Sequence, residues 1–258
     1  MALTVGGHHD RRRQRLPSRK HEEYAVDTAI EWGQIQGRPI TFPMEVRAFN
    51  AITMGFSVAT AAASPLLPGD AFELVEVGDG IAQLIVSICD YRDNPWGDYN
   101  EVNLGFLARP VGAPADVIGS FVYRMPVNQP FTCAAGNAVM GFPKTVERID
   151  VSYEDNAVHS ELWQGDTMAL TVGVPRVQPV GPRTRMEAVS YSYLDGVPYG
   201  TPLDLELGRG VVDPKDVHVT LGAGQIADEL RSLGLPTVPD FCSWGEDLSA
   251  TFLLGRPV

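Results

Sequence analysis

The chain has 258 residues, of which 44% are hydrophobic and 20% are charged, and its formal net charge is −12. These values are close to globular averages and exclude a largely disordered chain. Residues 1–20 hold six of the twenty basic residues, which leaves residues 21–258 with a net charge of −17. Because a body this acidic repels phosphate backbones, we expect no nucleic-acid partner.

Residues 1–37 are predicted to form an N-terminal arm that is partly disordered or contains a short helix over residues 21–34. Residues 38–258 are predicted to form a single domain. In this domain, short apolar or alternating runs are separated by turn residues, a pattern that favours β-strands. The runs are residues 40–49, 52–58, 72–77, 81–91, 99–108, 117–125, 147–153, 157–163, 167–174, 189–194 and 250–255.

Helical patterns are few and lie at residues 58–64, 131–139 and 225–233. Many short strands with few helices indicate a mainly β protein, an antiparallel sandwich or barrel. Residues 222–224 (Gly-Ala-Gly) match part of a dinucleotide-binding fingerprint, but too little chain follows them to build the second half of such a site. We interpret them as the turn before the last helix and expect no cofactor.

The cysteines and histidines do not indicate a metal site or a disulfide framework. Cys89, Cys133 and Cys242 are few and scattered, and the five histidines are not paired at ligand spacing. No apolar run reaches the roughly 18 residues of a membrane span, and no apolar segment of a secretory signal follows the arginine-rich start. We therefore expect a cytoplasmic protein with no membrane partner.

Lys144 stands out among the three lysines, because it ends the run VMGFPK with no acid nearer than Glu147. Burial favours the uncharged form of an amine, which is a nucleophile toward ketones and aldehydes. Lys20 lies in the basic arm, and Lys215 lies between two aspartates. The alternative interpretation is a lysine whose side chain extends to solvent from the turn after Pro143.

A second candidate is the segment GDYNEV at residues 97–102. In a strand over residues 99–107, Tyr99 and Glu101 share one face, while Asn100 and Val102 share the other. A carboxylate beside a tyrosine can transfer protons. The alternative is a face that points to solvent, and alternation does not distinguish the two.

The order of YNE (residues 99–101) and AGNAVMGFPK (residues 135–144) resembles the acetoacetate decarboxylase-like superfamily, and residues 42–77 are similar in character. The resemblance spans roughly residues 38–212. It implies a cone-like antiparallel β-barrel, and it implies assembly into a homo-oligomer.

The resemblance also implies roles for individual residues. Lys144 matches the lysine that forms a Schiff base with a ketone, and that family's lysine is activated by desolvation or by a neighbouring cation. Glu101 matches the active-site carboxylate. Arg47 corresponds to the arginine near the substrate carboxylate, and Tyr99 is expected to contact substrate. No metal takes part.

The sequence also departs from the family pattern. Thr145 stands where decarboxylases carry a second lysine, and Gly-Asn-Ala at residues 136–138 replaces Gly-Arg-Glu. Val86 is predicted to replace a further acid on the preceding strand. These changes leave imine formation intact and alter the polar lining that selects the reaction.

The resulting hypothesis is a cofactor-free lyase that forms a Schiff base with a small keto acid and decarboxylates a β-keto acid. The alternative is a Schiff-base aldolase-dehydratase, or retro-aldolase, acting on pyruvate-type ketones and aldehydes. An alternative of another class is a non-catalytic barrel that binds small molecules, in which a protonated Lys144 pairs with a ligand anion.

Overall fold

The computed structural model describes residues 29–258. The basic arm and residues 21–28 of the predicted helix lie outside the described residues. From Ile30 to Ile35 the chain forms a strand, so the helix prediction is wrong there. This strand pairs with Arg38–Phe42 across a two-residue turn, in which Gln36 and Gly37 have φ values of 49° and 77°. Positive φ at both positions is the geometry of a tight hairpin turn.

Strands dominate the described residues. In chain order they are β1 (Ile30–Ile35), β2 (Arg38–Phe42), β3 (Met44–Ala59), β4 (Phe72–Leu74), β5 (Glu76–Gly78), β6 (Ile81–Asp93), β7 (Tyr99–Pro110), β8 (Gly119–Val127), β9 (Lys144–Val146), β10 (Arg148–Tyr153), β11 (Ala157–Gln164), β12 (Thr167–Pro175), β13 (Arg185–Leu194), β14 (Val197–Glu206), β15 (Gly210–Val212), β16 (His218–Leu221), β17 (Phe241–Phe252) and β18 (Arg256–Pro257).

The helices are α1 (Thr60–Ala63), α2 (Pro130–Met140) and α3 (Gln225–Ser232), with 3-10 turns at Ser64–Leu66 and Pro214–Asp216. The three α-helices lie where the sequence predicts helices. Gly224 precedes α3 with a φ of 102°, in agreement with the interpretation of residues 222–224 as a turn. Within residues 29–258 no helix has the length and apolar character needed to cross a membrane.

Seven strands close into a barrel in the order β17–β3–β6–β7–β8–β13–β14, because β14 also pairs with β17. The mainly β barrel is thus confirmed. Most neighbours are antiparallel, but β13 and the short strand β9 each pair in parallel with β8. A separate antiparallel sheet has the order β10–β11–β12–β16.

Two apolar clusters fill the interior. The first contains Val102, Leu104 and Phe106 of β7 and residues of the four-stranded sheet and α3. The second joins β2, the start of β3 and α2 to Tyr99 of β7. The buried members of this second cluster are Ile40, Phe42, Met44, Val46, Phe49, Ala51, Cys89, Tyr91, Trp96, Tyr99, Val122, Met125, Val127, Phe131, Ala135, Val139, Met140, Phe142, Leu248 and Ala250.

Candidate active site

Strand β8 brings Lys144 and Glu101 together from its two sides. Lys144 begins β9, which pairs with β8 at Met125, and Glu101 of β7 pairs with β8 at Val127. The Lys144 Nζ donates a hydrogen bond of 2.7 Å to Glu101 Oε2, and only 3% and 5% of the two side chains are exposed. The two residues singled out from distant parts of the sequence therefore form one buried pair.

Tyr99 also lies at this pair, as its position two residues before Glu101 predicts. The centre of its ring is 5.3 Å from Lys144 Nζ, and the ring stacks on Tyr91 with a centroid separation of 4.5 Å. Burial, followed by the charge of Glu101, raises the pKa of the Tyr99 hydroxyl well above its ordinary value. Tyr99 therefore remains a neutral hydrogen-bond donor beside the amine.

Helix α2 fixes the backbone of Lys144 through Asn137. The Lys144 amide donates to Asn137 Oδ1 at 3.0 Å, and Asn137 Nδ2 donates to the Lys144 carbonyl at 3.1 Å. The Cys133 thiol donates to the same carbonyl at 3.4 Å. Asn137, noted in the sequence only as a missing arginine, thus holds the lysine in place.

Gly136 of α2 makes room for the lysine side chain. A Cβ at this position would lie 2.6 Å from Lys144 Cε and 2.7 Å from Cδ. Real Cβ atoms do not approach other atoms this closely, so the side chain would have to shift. The close approach of the lysine, and not a backbone angle, is the reason for this glycine, and it has no signature in a single sequence.

Cys89 is the residue directly opposite Glu101 on β6. Burial, followed by the charge of Glu101, raises the pKa of the Cys89 thiol far above its ordinary value, so it stays protonated. Val86, the predicted replacement for the second acid, instead pairs with Leu104 and belongs to the first apolar cluster. Val86 therefore points to the face of the sheet opposite to Tyr99 and Glu101 and does not line this pair.

The structure does not bring Arg47 to the pair. Its side chain is 73% exposed, and its guanidinium is 3.9 Å from Asp93. The preceding residue, Val46, is the one that packs in the second cluster. A different arginine borders this cluster: the Arg38 guanidinium lies 3.8 Å from the centre of the Phe131 ring and donates to the Pro95 carbonyl.

The sequence matches the family model described as acetoacetate decarboxylase (ADC) over residues 33–238. The chain belongs to the acetoacetate decarboxylase family. No curated protein is significantly similar to it in sequence.

Solved structures of this family share the fold. One, from structural studies of acetoacetate decarboxylase, has a TM-score of 0.60 at 12% identity, over 84% of this chain and 89% of the other. Acetoacetate decarboxylase from Legionella pneumophila gives 0.61 at 15% identity, over 88% and 93%. The enduracididine biosynthesis enzyme MppR complexed with pyruvate gives 0.56 at 14% identity, over 84% and 91%.

The structure shows where the residues that depart from the acetoacetate decarboxylase pattern lie. Thr145, in the place of the second lysine, is exposed and points away from the Lys144 side chain along β9. Ala138 is exposed on α2. The neighbours of the Lys144 amine include the Glu101 carboxylate and the Tyr99 ring, and the next residue in sequence is not a second lysine.

Proposed function

We propose that the protein is a Schiff-base lyase that decarboxylates a small β-keto acid through Lys144. Membership of the acetoacetate decarboxylase family supports an enzyme, and the 2.7 Å contact between Lys144 Nζ and Glu101 Oε2 is the observation that carries the proposal. The lysine lacks a second lysine beside it. Burial beside the second apolar cluster, with Glu101 as the proton acceptor, must therefore suffice to make it reactive.

The first half of the reaction forms an imine. Glu101 accepts a proton from the Lys144 ammonium, and the neutral Nζ adds to the carbonyl carbon of the substrate. A second proton of the nitrogen moves to the carbonyl oxygen to give a neutral carbinolamine, and Glu101 then returns the first proton to its hydroxyl, which leaves as water. The product is a protonated imine between Lys144 and the substrate.

The second half breaks a carbon–carbon bond. The bond to the β-carboxylate breaks, its electron pair forms an enamine with the imine carbon, and carbon dioxide leaves. A proton then adds to the enamine carbon, and water hydrolyses the new imine to release the ketone and Lys144. The loss of carbon dioxide removes the positive charge of the imine and the negative charge of the carboxylate together. Apolar surroundings favour this step because they stabilise separated charges less than water does.

A second candidate keeps the imine and changes the outcome. In it, an enamine of a pyruvate-type ketone adds to an aldehyde, and water is lost. A related solved structure, with a TM-score of 0.52 and 15% identity, is MppR complexed with the condensation product of pyruvate and imidazole 4-carboxaldehyde. Asn137 and Ala138 are uncharged and stand where the family has arginine and glutamate. This change in the polar residues of the site supports the second candidate.

The two reactions are distinguished by their products. We expect acetoacetate to give carbon dioxide and acetone in equal amounts. Unchanged acetoacetate, together with an unsaturated condensation product from pyruvate and an aldehyde, would favour the second candidate. If neither reaction occurs and borohydride traps no ketone on the protein, the chain is a binding barrel.

Gly136→Ala is expected to stop this chemistry without unfolding the protein. The new Cβ displaces the Lys144 side chain, and a misplacement of about 1 Å at a reacting group costs about 100-fold in rate. Alanine in place of glycine otherwise favours a helix by about 0.5–1 kcal/mol. The measurements are the rate of borohydride trapping with acetoacetate and the melting temperature.

Ala138→Ser, on the exposed face of the same helix, is the matched control and should trap at the wild-type rate. A Gly136→Ala variant that traps equally fast would show that this glycine does not determine the position of the amine.

A further inference from the structure

Thr132 is a buried residue of α2 whose hydroxyl has no partner. It is 0% exposed, and its Oγ1 makes no hydrogen bond to any group within residues 29–258. Its backbone amide is already satisfied by the Gln129 side chain, at 3.0 Å. A buried hydroxyl without a partner is costly and uncommon, so this group is free to bond a molecule that enters the site.

The position of Thr132 on the helix places it on the side of α2 that faces Lys144. Thr132 and Gly136 are four residues apart, so they lie on one face of α2, about one turn from each other. A Cβ at Gly136 would lie 3.4 Å from Lys144 Nζ, which shows that this face borders the amine. On the other side, the Thr132 and Tyr99 hydroxyls are neighbours, yet they do not form a hydrogen bond of normal geometry.

We propose that Thr132 determines substrate specificity: its hydroxyl donates a hydrogen bond to the carboxylate of the keto acid that is bound to Lys144. The inference rests on the proposed function. In a β-keto acid the carboxylate carbon lies two bonds beyond the carbon that joins Nζ. A donor about one helical turn, roughly 5.4 Å, along α2 is within reach of that carboxylate.

A neutral donor suits this place because of the charges around it. The buried carboxylate of Glu101 already lies 2.7 Å from the amine. Arg47, the cation expected to hold the substrate, is 73% exposed and paired with Asp93. A guanidinium would stabilise the substrate carboxylate more than the transition state, in which that charge disappears. A hydroxyl orients the carboxylate with less of this ground-state stabilisation.

The test compares a ketone that has the carboxylate with one that lacks it. Acetoacetate and acetone are each incubated with wild type, Thr132→Val and Thr132→Ser, reduced with borohydride, and scored by mass over a range of concentrations. Valine preserves the shape of threonine and removes only the hydroxyl, so this variant should melt no lower than wild type. We expect the half-saturating concentration of acetoacetate to rise about tenfold or more in Thr132→Val.

In Thr132→Val the half-saturating concentration of acetone should stay within about twofold of the wild-type value. In Thr132→Ser, which keeps a hydroxyl, the half-saturating concentration of acetoacetate should return to near the wild-type value. Equal losses for both ketones, or no change for either, would overturn the assignment of Thr132 to the carboxylate. If the wild-type protein itself traps neither ketone, the proposed function fails, and the assignment of Thr132 fails with it.

Discussion

Replacing Lys144 by methionine is expected to abolish turnover, to below about one ten-thousandth of the wild-type rate. Methionine has a similar length and no amine, so the imine cannot form. The variant also leaves Glu101 buried without its partner, and breaking a buried ion pair costs about 3–5 kcal/mol of stability. The measurements are carbon dioxide release from acetoacetate and the free energy of unfolding.

Two further variants separate chemistry from stability. Lys144→Met combined with Glu101→Gln removes both charges, so it should regain most of the lost stability and none of the activity. Lys215→Met removes a lysine that is exposed in the 3-10 turn at Pro214–Asp216 and should behave as wild type. Turnover by Lys144→Met at more than a few per cent of the wild-type rate would exclude this lysine as the nucleophile.

Replacing Glu101 by glutamine is expected to slow imine formation by about 100- to 10,000-fold at neutral pH. Glutamine keeps the shape and one hydrogen bond to Lys144, but it does not accept the ammonium proton. Solvent base can do so at higher pH. The trapping rate of the variant should therefore rise with pH more steeply than that of wild type. The measurement is the rate of borohydride trapping of both proteins at a series of pH values from 6 to about 10.

The matched control is Glu206→Gln. Glu206 is also a buried glutamate, 3% exposed, but its carboxylate pairs with Arg183 and not with Lys144. This variant should lose stability and keep the pH profile of wild type. A Glu101→Gln variant that keeps both the rate and the profile of wild type would remove Glu101 from the proton transfers.

The proximity of Lys144, Glu101 and Tyr99 was predictable in part because the signals of these candidate residues are local. The run VMGFPK indicates an amine in apolar surroundings, and strand alternation puts Tyr99 and Glu101 on one face. The structure adds the distance, which no local pattern contains: Lys144 and Glu101 meet across β8 although they are 43 residues apart.

The residues that were missed depend on tertiary contacts. Arg47 follows a buried Val46 and is exposed in the structure; its assignment to the substrate came from the resemblance and stays a prediction. Cys89 was overlooked in favour of Val86 because the register between β6 and β7 is not encoded in either strand alone. The need for glycine at position 136 arises only from the lysine that packs against its helix, and the missing partner of the Thr132 hydroxyl is visible only in the folded chain.

The strand boundaries predicted from the sequence are wrong where the backbone is irregular. In β17, a register shift between Gly245 and Leu248 and a φ of 50° at Asp247 interrupt the alternation, so only its last residues read as a strand. In β14, Pro198 and Pro202 argue against a strand, yet both lie opposite residues of β13. Pairing partners supplied by the closed barrel override these local signals.

The absence of a second lysine has a physical consequence for the mechanism. In the family, a neighbouring cation is one way to favour the neutral amine, and here Thr145 points away from the Lys144 side chain. The remaining influences are the burial of Lys144 and the Glu101 carboxylate, the proposed acceptor of its proton. The proton acceptor is therefore more important here than in a site with two lysines, which is why Glu101→Gln is expected to have a large effect.

The central claim is that the Lys144 nitrogen becomes covalently bound to a carbonyl carbon. The most direct measurement is borohydride reduction of the protein with acetoacetate, followed by proteolysis and peptide mass analysis. We expect one reduced adduct per chain, with the mass of an isopropyl group after decarboxylation, on the peptide that contains Lys144. No adduct, or an adduct spread over Lys20 and Lys215, would contradict it.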